Sequence, residues 1–171
     1  MKPKQLTLFQ NKIYQKRKVA RVVSTKQFMH IVMKARFPVL RQNHEFIKTI
    51  IKKEQIHWGI KIKNIAIQPD HIHLCVKVSS RIVFFNFMRV VAGVIGKKLL
   101  RRINTNQKVF VRKGIYKQFK TFWKQRVWTR IVHFGKDLRG VLLYIAQNPF
   151  KAGLFNQKID RSLLVDGILQ I

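Results

Sequence analysis

Acidic side chains are scarce in this sequence. Six Asp and Glu stand against 36 Lys and Arg in 171 residues, a formal charge of +30. Self-repulsion at that density is large, and a polyanion that neutralises it is the expected partner. Cysteine occurs once, at Cys75, which excludes an internal disulfide and any multi-cysteine zinc site. Long apolar runs are also missing. None approaches the ~18–20 residues that span a bilayer, so nucleic acid is expected rather than a membrane. No apolar signal core follows Met1-Lys2-Pro3-Lys4. A cytoplasmic, nucleoid-associated prokaryotic protein fits these absences best. No P-loop is present, and no internal repeat. What the chain does have is apolar content: 47% hydrophobic residues exclude a disordered basic tail and allow one domain with a real core.

Residues 1–23 read as a basic arm carrying Lys16, Arg17, Lys18 and Arg21, either a DNA-binding segment or a solvated tail. A catalytic domain is expected over 24–155, and a tail of little periodicity over 156–171. Within the domain, Phe28 to Ala35 predicts a strand. Asn43 is a plausible N-cap for a helix carrying Phe46, Ile47, Ile50 and Ile51 and running to about Gln55. Ile60, Ile62, Ile65 and Ile67 predict a second strand whose alternation slips at Asn64, as at a bulge. Pro69-Asp70 turns the chain into a third strand. Phe84, Phe87, Met88, Val91, Ile95 and Leu99 form a helical stripe within Val83 to Ile103, with basic residues at its end suiting the helix dipole. Phe119 to Val132 predicts a fourth strand with a turn near Lys124-Gln125. Asp137 to Asn148 predicts a last helix, ended by Pro149. The first six elements make an α+β, ferredoxin-like βαββαβ unit with an antiparallel sheet. The seventh is an added C-terminal helix.

Within that frame, Asp70-His71-Ile72-His73-Leu74-Cys75-Val76-Lys77-Val78 carries the strongest pattern. Ile72, Leu74, Val76 and Val78 point one way, and His71, His73, Cys75 and Lys77 the other, as on a half-buried strand. Two imidazoles at i and i+2 lie side by side, near enough to share one metal ion. Alone, such a pair is more often two half-exposed histidines. Two ligands are too few for a closed structural site and suit an open catalytic one. The remaining histidines, His30 included, have no partner at ligand spacing. Tyr144 and Asn148 stand four apart on the last helix and share a stripe with Asp137 and Val141. That stripe could dock over the polar face of the sheet.

Taken together, Pro69-Asp70-His71-Ile72-His73-Leu74, Phe122-Trp123-Lys124-Gln125-Arg126 and Tyr144-Ile145-Ala146-Gln147-Asn148-Pro149-Phe150-Lys151-Ala152-Gly153-Leu154 resemble the single-tyrosine transposases of the HUH endonuclease superfamily. That group comprises the IS200-like and REP-associated tyrosine transposases. Ser24 to His30 resembles the entry to the family's first strand. Asparagine at 148, where the insertion-sequence branch typically has glutamine, fits the REP-associated branch. The resemblance implies that His71, His73 and Asn148 hold Mg²⁺ or Mn²⁺. It implies that Tyr144 attacks the scissile phosphate of single-stranded, hairpin-bearing DNA, leaving a 5′-phosphotyrosine and a free 3′-OH. Storing the bond covalently removes the need for ATP. Asp70 either fixes a histidine tautomer or simply makes the turn.

The DNA-contacting candidates are the arm cations, Lys97, Lys98, Arg101 and Arg102 on the second helix, and Arg112, Lys113 and Lys117. The protein is expected to act as a monomer or homodimer. A non-catalytic or domesticated nucleic-acid-binding protein on the same fold is the alternative. An RNA-recognition module wants aromatics on its central strands, where this chain has histidines.

Overall fold

A computed structural model describes residues 21–107 and 120–151 of the chain. The arm cations Lys16, Arg17 and Lys18, the candidates Arg112, Lys113 and Lys117, and the tail fall outside the described residues. Four strands form one antiparallel sheet: β1 (Phe28–Lys34), β2 (Lys61–Ile67), β3 (His71–Lys77) and β4 (Trp128–Val132), in the order β2-β3-β1-β4. Helices α1 (His44–His57) and α2 (Arg81–Gln107) cover one face. Helix α3 (Lys136–Lys151) lies over the other. The expected ferredoxin-like order and added C-terminal helix are both present.

Burial follows the alternation of each strand. Met29, Ile31 and Met33 of β1 and Ile72, Leu74 and Val76 of β3 meet Phe84, Phe87, Val91 and Ile95 of α2 in the main core. The opposite side of the same strands, with Phe28, Cys75 and Val132, receives Val141 and Ile145 of α3 in a smaller cluster. Strand β3 is therefore buried on both faces, not half-buried as its alternation suggests. Its central position in the sheet and the docking of α3 account for the difference. The alternation slip in β2 is a register shift between Ile62 and Asn64, as expected.

Several element ends depart from the sequence reading. Helix α1 runs to His57 and closes at Gly59, whose φ of 59° suits glycine. Ile60 N–H donates to Gln55 and Gly59 N–H to Ile56, a Schellman closure. Asn43 does precede α1, but its side chain caps nothing. Its amide donates to the Val39 carbonyl and accepts from Arg102. Helix α2 continues to Gln107, so Lys97, Lys98, Arg101 and Arg102 sit before its last turn, where the dipole favours them less. Helix α3 passes Pro149 and ends at Lys151. Proline removes one hydrogen bond and biases its predecessor away from helix, and here neither effect stops the helix.

The fourth strand is much shorter than Phe119 to Val132. Ahead of it, residues 120–127 form a loop that plugs into the core. Phe122 is buried there, and Trp123 donates its indole N–H to the Ala92 carbonyl of α2 at 2.8 Å. The apolar character read as strand belongs to this plug. Helix α2 accommodates it at Gly96, where an added Cβ would lie 2.9 Å from Trp123 Nε1. Gly93, on the same helix, faces open space.

Those two glycines give a matched test. Alanine at an exposed helical glycine gains up to about 1 kcal/mol of helix propensity. At Gly96 the same gain meets an overpacking cost of roughly 1–3 kcal/mol. Urea unfolding should show Gly93→Ala more stable than the parent protein and Gly96→Ala less stable than Gly93→Ala by about that cost. Equal gains at the two positions would show that Trp123 places no constraint on α2.

Candidate active site

The register of the sheet decides which side chains meet. On β3, alternation directs His71 and His73 toward α3. On β1, it directs His30 and Val32 to the same side. Val32 pairs with His73 and His30 with Cys75, so His30 stands diagonal to His73. The two imidazoles stack at 5.2 Å between centroids, with His30 Nε2 and His73 Nδ1 3.0 Å apart in a shared hydrogen bond. His71 and His73 are edge to face at 4.8 Å. Their adjacency agrees with the i, i+2 reading. His30, given no role by the sequence, is a third member of the cluster.

Each histidine is oriented by one ring nitrogen. His71 Nδ1 lies 2.6 Å from Asp70 Oδ1, which fixes that ring's tautomer and leaves its Nε2 outward. Asp70 also pairs with Lys34 at 3.7 Å. Burial raises the Asp70 carboxyl, but the hydrogen bond and charge of His71, with Lys34, hold it below its ordinary value. His73 Nδ1 is taken by His30. His73 Nε2 is buried and has no hydrogen-bond partner. Such an atom is expensive to leave bare, and a metal ion is one occupant that satisfies it.

Helix α3 brings the remaining pieces. Tyr144 is 44% exposed, with its ring 5.6 Å from His73 and 6.0 Å from His30. Asn148, one turn on, is 8% exposed, and its Nδ2 is buried without a partner. An asparagine amide turned end for end puts its carbonyl oxygen in that position. Among the described residues no three His, Cys, Asp or Glu side chains could hold a metal together. Any third protein ligand for the His71–His73 pair would therefore be of another kind, and an amide such as Asn148 is of a suitable chemistry. In that donor set the amide oxygen suits Mn²⁺ and Mg²⁺ alike, whereas imidazole is a softer donor than either ordinarily takes. The stripe on α3 differs from the sequence reading. Val141, Ile145 and Asn148 are the buried positions, and Tyr144 stands at their solvent border.

Three contacts set the height and rotation of α3. Asn64, at the bulge in β2, donates to the Leu142 carbonyl at 3.2 Å. Asp137 in the first turn accepts from Arg130 of β4 and from the His133 N–H, both at 2.8 Å. Those two bonds hold the Asp137 carboxyl below its ordinary range. Val141 and Ile145 enter the cluster around Cys75 and Val132. Burial pushes the Cys75 thiol up to about 12, so it is inert packing.

A cleft of about 600 Å³ opens beside Tyr144, lined among others by His30, His73, Trp128, Arg130 and Lys136. The DNA-contacting candidates of α2 are elsewhere. Lys97, Lys98, Arg101 and Arg102 are exposed on the helix that covers the other face of the sheet. Lys98 lies over the Phe46 ring at 4.5 Å, and Arg102 bonds Asn43, so both also bind α2 to α1. Arg21 lies 5.8 Å over Phe85 of α2. Sequence reasoning missed Arg130 and Lys136, cations that line the cleft with Tyr144. Their signal was positional: Arg130 alternates with Trp128 and Val132 on the inner face of β4.

Both buried histidines are held neutral. Burial, then the Arg130 charge, lowers His30 to about 4. Burial, then the charges of His71 and His30, lowers His73 to about 3. An unfolded histidine takes its proton near pH 6.5, so between that pH and these lower values the unfolded chain binds more protons. The stability this contributes is complete above pH 6.5 and is lost as pH falls toward 4 and 3. Urea unfolding of the metal-free protein should therefore weaken steadily from pH 6.5 to 4. His30→Gln should remove up to about 1.4 kcal/mol per pH unit of that slope. Superimposable pH profiles of the two proteins would mean that His30 is not held neutral by the fold.

A family model described as "Transposase IS200 like" matches residues 22–148, a span that includes His71, His73, Tyr144 and Asn148. A REP-associated tyrosine transposase of Haemophilus influenzae is 30% identical over 106 residues, 57% of this chain and 53% of that protein. The chain thus spans about half the length of that curated relative. Among solved structures, a REP-associated tyrosine transposase bound to a REP hairpin superposes with a TM-score of 0.58 at 16% identity. The superposition covers 82% of this chain and 76% of that one, and at this identity it speaks to the fold alone. With the family match running through most of its length, the chain belongs to the IS200-like transposase family.

Proposed function

We propose that this protein is a metal-dependent, single-stranded DNA nicking and strand-transfer enzyme, acting on hairpin-bearing DNA with Tyr144 as nucleophile. The observation that carries the reading is the placing of a half-exposed phenol against two buried, neutral imidazoles, one with a bare nitrogen. His71, His73 and Asn148 would hold Mg²⁺ or Mn²⁺, which supplies charge stabilisation at the scissile phosphate. The chain's own residues do the rest. His30 and Asp70 orient the two imidazoles through the nitrogens not needed for ligation. Tyr144 attacks phosphorus with its phenolic oxygen, and the P–O3′ bond breaks. The products are a 5′-phosphotyrosine and a free 3′-OH. Attack of a 3′-OH on that phosphotyrosine reverses the step and joins strands. Preference for a hairpin is part of this proposal, extended from the REP-associated protein of the same fold that was solved with one.

Lys136, beside the Arg130–Asp137 pair, leaves the cleft a net positive wall suited to the strand's phosphates. The rival reading, a binding protein without chemistry, gains nothing from burying a bare imidazole nitrogen, which costs stability unless it is used.

Two experiments test this reading. Labelled single-stranded hairpin DNA with Mn²⁺ should give a covalent adduct on a denaturing gel. Tyr144→Phe should abolish it, with hairpin affinity nearly unchanged because the ring still packs. Persistence of the adduct in that variant would move the nucleophile elsewhere. Mn²⁺ titration of adduct formation should shift to higher concentration by roughly tenfold or more in His71→Ala and His73→Ala. A smaller shift is expected in Asn148→Ala, because water can replace an amide oxygen. An unaltered titration in either histidine variant would remove the metal assignment.

A further inference from the structure

We propose that the cleft beside Tyr144 is a nucleobase pocket, in which Trp128 stacks the unpaired base next to the scissile phosphate. The inference rests on the reading of Tyr144 as the attacking group and adds a determinant of which base is accepted. Trp128 differs from the other two tryptophans. Trp58 and Trp123 are half-buried, and each donates its indole N–H to a protein acceptor, Glu54 Oε2 and the Ala92 carbonyl. Trp128 is 46% exposed on edge strand β4, and among the described residues its N–H has no such bond. Its ring stands edge to face on His30 at 5.6 Å, and the same His30 ring touches Tyr144. An exposed indole is thus one imidazole away from the phenol.

The rest of the wall selects the occupant. A volume of about 600 Å³ suits a small planar group with its sugar. Lys136 supplies positive charge for the flanking phosphates, and Gln125 offers an amide able to donate to or accept from a base edge. The one carboxylate in the lining, Asp137, already accepts from Arg130 and the His133 N–H. An aromatic face, one amide and a net positive charge, from Lys136 beside the Arg130–Asp137 pair, match a nucleotide better than an apolar or cationic ligand. Bases stack on any aromatic face, so Trp128 supplies affinity and Gln125 supplies the edge contact that discriminates.

The test is a cycle between the side chain and the base. Affinities of the full-length protein are measured for oligothymidine and for an abasic deoxyribose-phosphate chain of the same length. Trp128→Ala should weaken oligothymidine binding about 5- to 100-fold and leave the abasic chain within about twofold. Trp128→Phe should fall between, on oligothymidine only. Tryptophan fluorescence should be quenched by oligothymidine in the parent protein, and most of that quenching should vanish in Trp128→Phe. Equal losses on the two ligands, or full quenching in Trp128→Phe, would overturn the proposal. Adduct formation on hairpin DNA, run in parallel, tests the underlying reading separately. Adduct with equal losses sinks the pocket alone. Unequal losses without adduct keep the base cleft and sink the nucleophile.

Discussion

Strand β3 is paired along both edges and, from Ile72 to Val76, buried on both faces, so a polar atom in that stretch is cut off from water and needs a partner inside the protein. Backbone pairing with β1 and β2 settles the main chain. The His73 ring, inside that stretch, then needs a partner for each nitrogen, while His71 at its half-buried end needs fewer. Asp70 supplies one to His71, and His30 supplies one to His73. Burial strips water from His73 so thoroughly that it stays neutral far below its ordinary value. A neutral, oriented imidazole with one nitrogen bare is what metal ligation requires. The demand to bury the centre of the sheet therefore orients the imidazoles that the proposed metal site would use.

Shortage of carboxylates shapes the same site. Four acidic residues lie among the described residues, and each is engaged by a neighbour. Glu45 pairs with His44, Glu54 holds the Trp58 indole, Asp70 orients His71, and Asp137 holds Arg130. None remains to ligate a cation. The proposed ligand set of two imidazoles and an amide is electrically neutral, so a divalent ion there would present its full charge to phosphate. With +30 on the chain, a polyanion would be drawn in by the protein as a whole. The carboxylates are left to orient other side chains.

The sequence revealed those parts that depend on local periodicity. Strict alternation after Asp70 placed His71 and His73 on one face, and the slip at Asn64 marked a bulge that is present. The four-residue spacing put Tyr144 and Asn148 on one side of a helix. Contributions that depend on register were not legible. Nothing local to Phe28–Lys34 says that His30 will stand diagonal to His73, because the two histidines are 43 residues apart in the chain. The aromatic pair Phe122-Trp123 looked like strand because apolar content alone does not separate a strand from a plug. The DNA surface was read from clusters of charge. Sheet topology sets Lys97 and Arg101 of α2 across the sheet from the candidate site, and brings the scattered Arg130 and Lys136 to it.

The bulge at Asn64 links these two levels. A register slip in an edge strand normally leaves one residue unpaired. Here that residue is Lys63, and the slip sets Asn64, opposite Cys75, on the face under α3, where its amide donates to the Leu142 carbonyl, two residues before Tyr144. At the helix start, Asp137 ties the first turn to β4, on the opposite edge of the sheet. The helix is thus fastened to both edges, with Val141 and Ile145 packed between over the central strands. A helix resting on packed apolar side chains alone could rotate or slide with little loss, since burial is not directional. Two directional bonds at opposite edges remove that freedom. They leave Tyr144 over the histidines of its own chain, at the border between core and cleft. An irregularity that weakens β2 as a strand thereby fixes where the phenol stands.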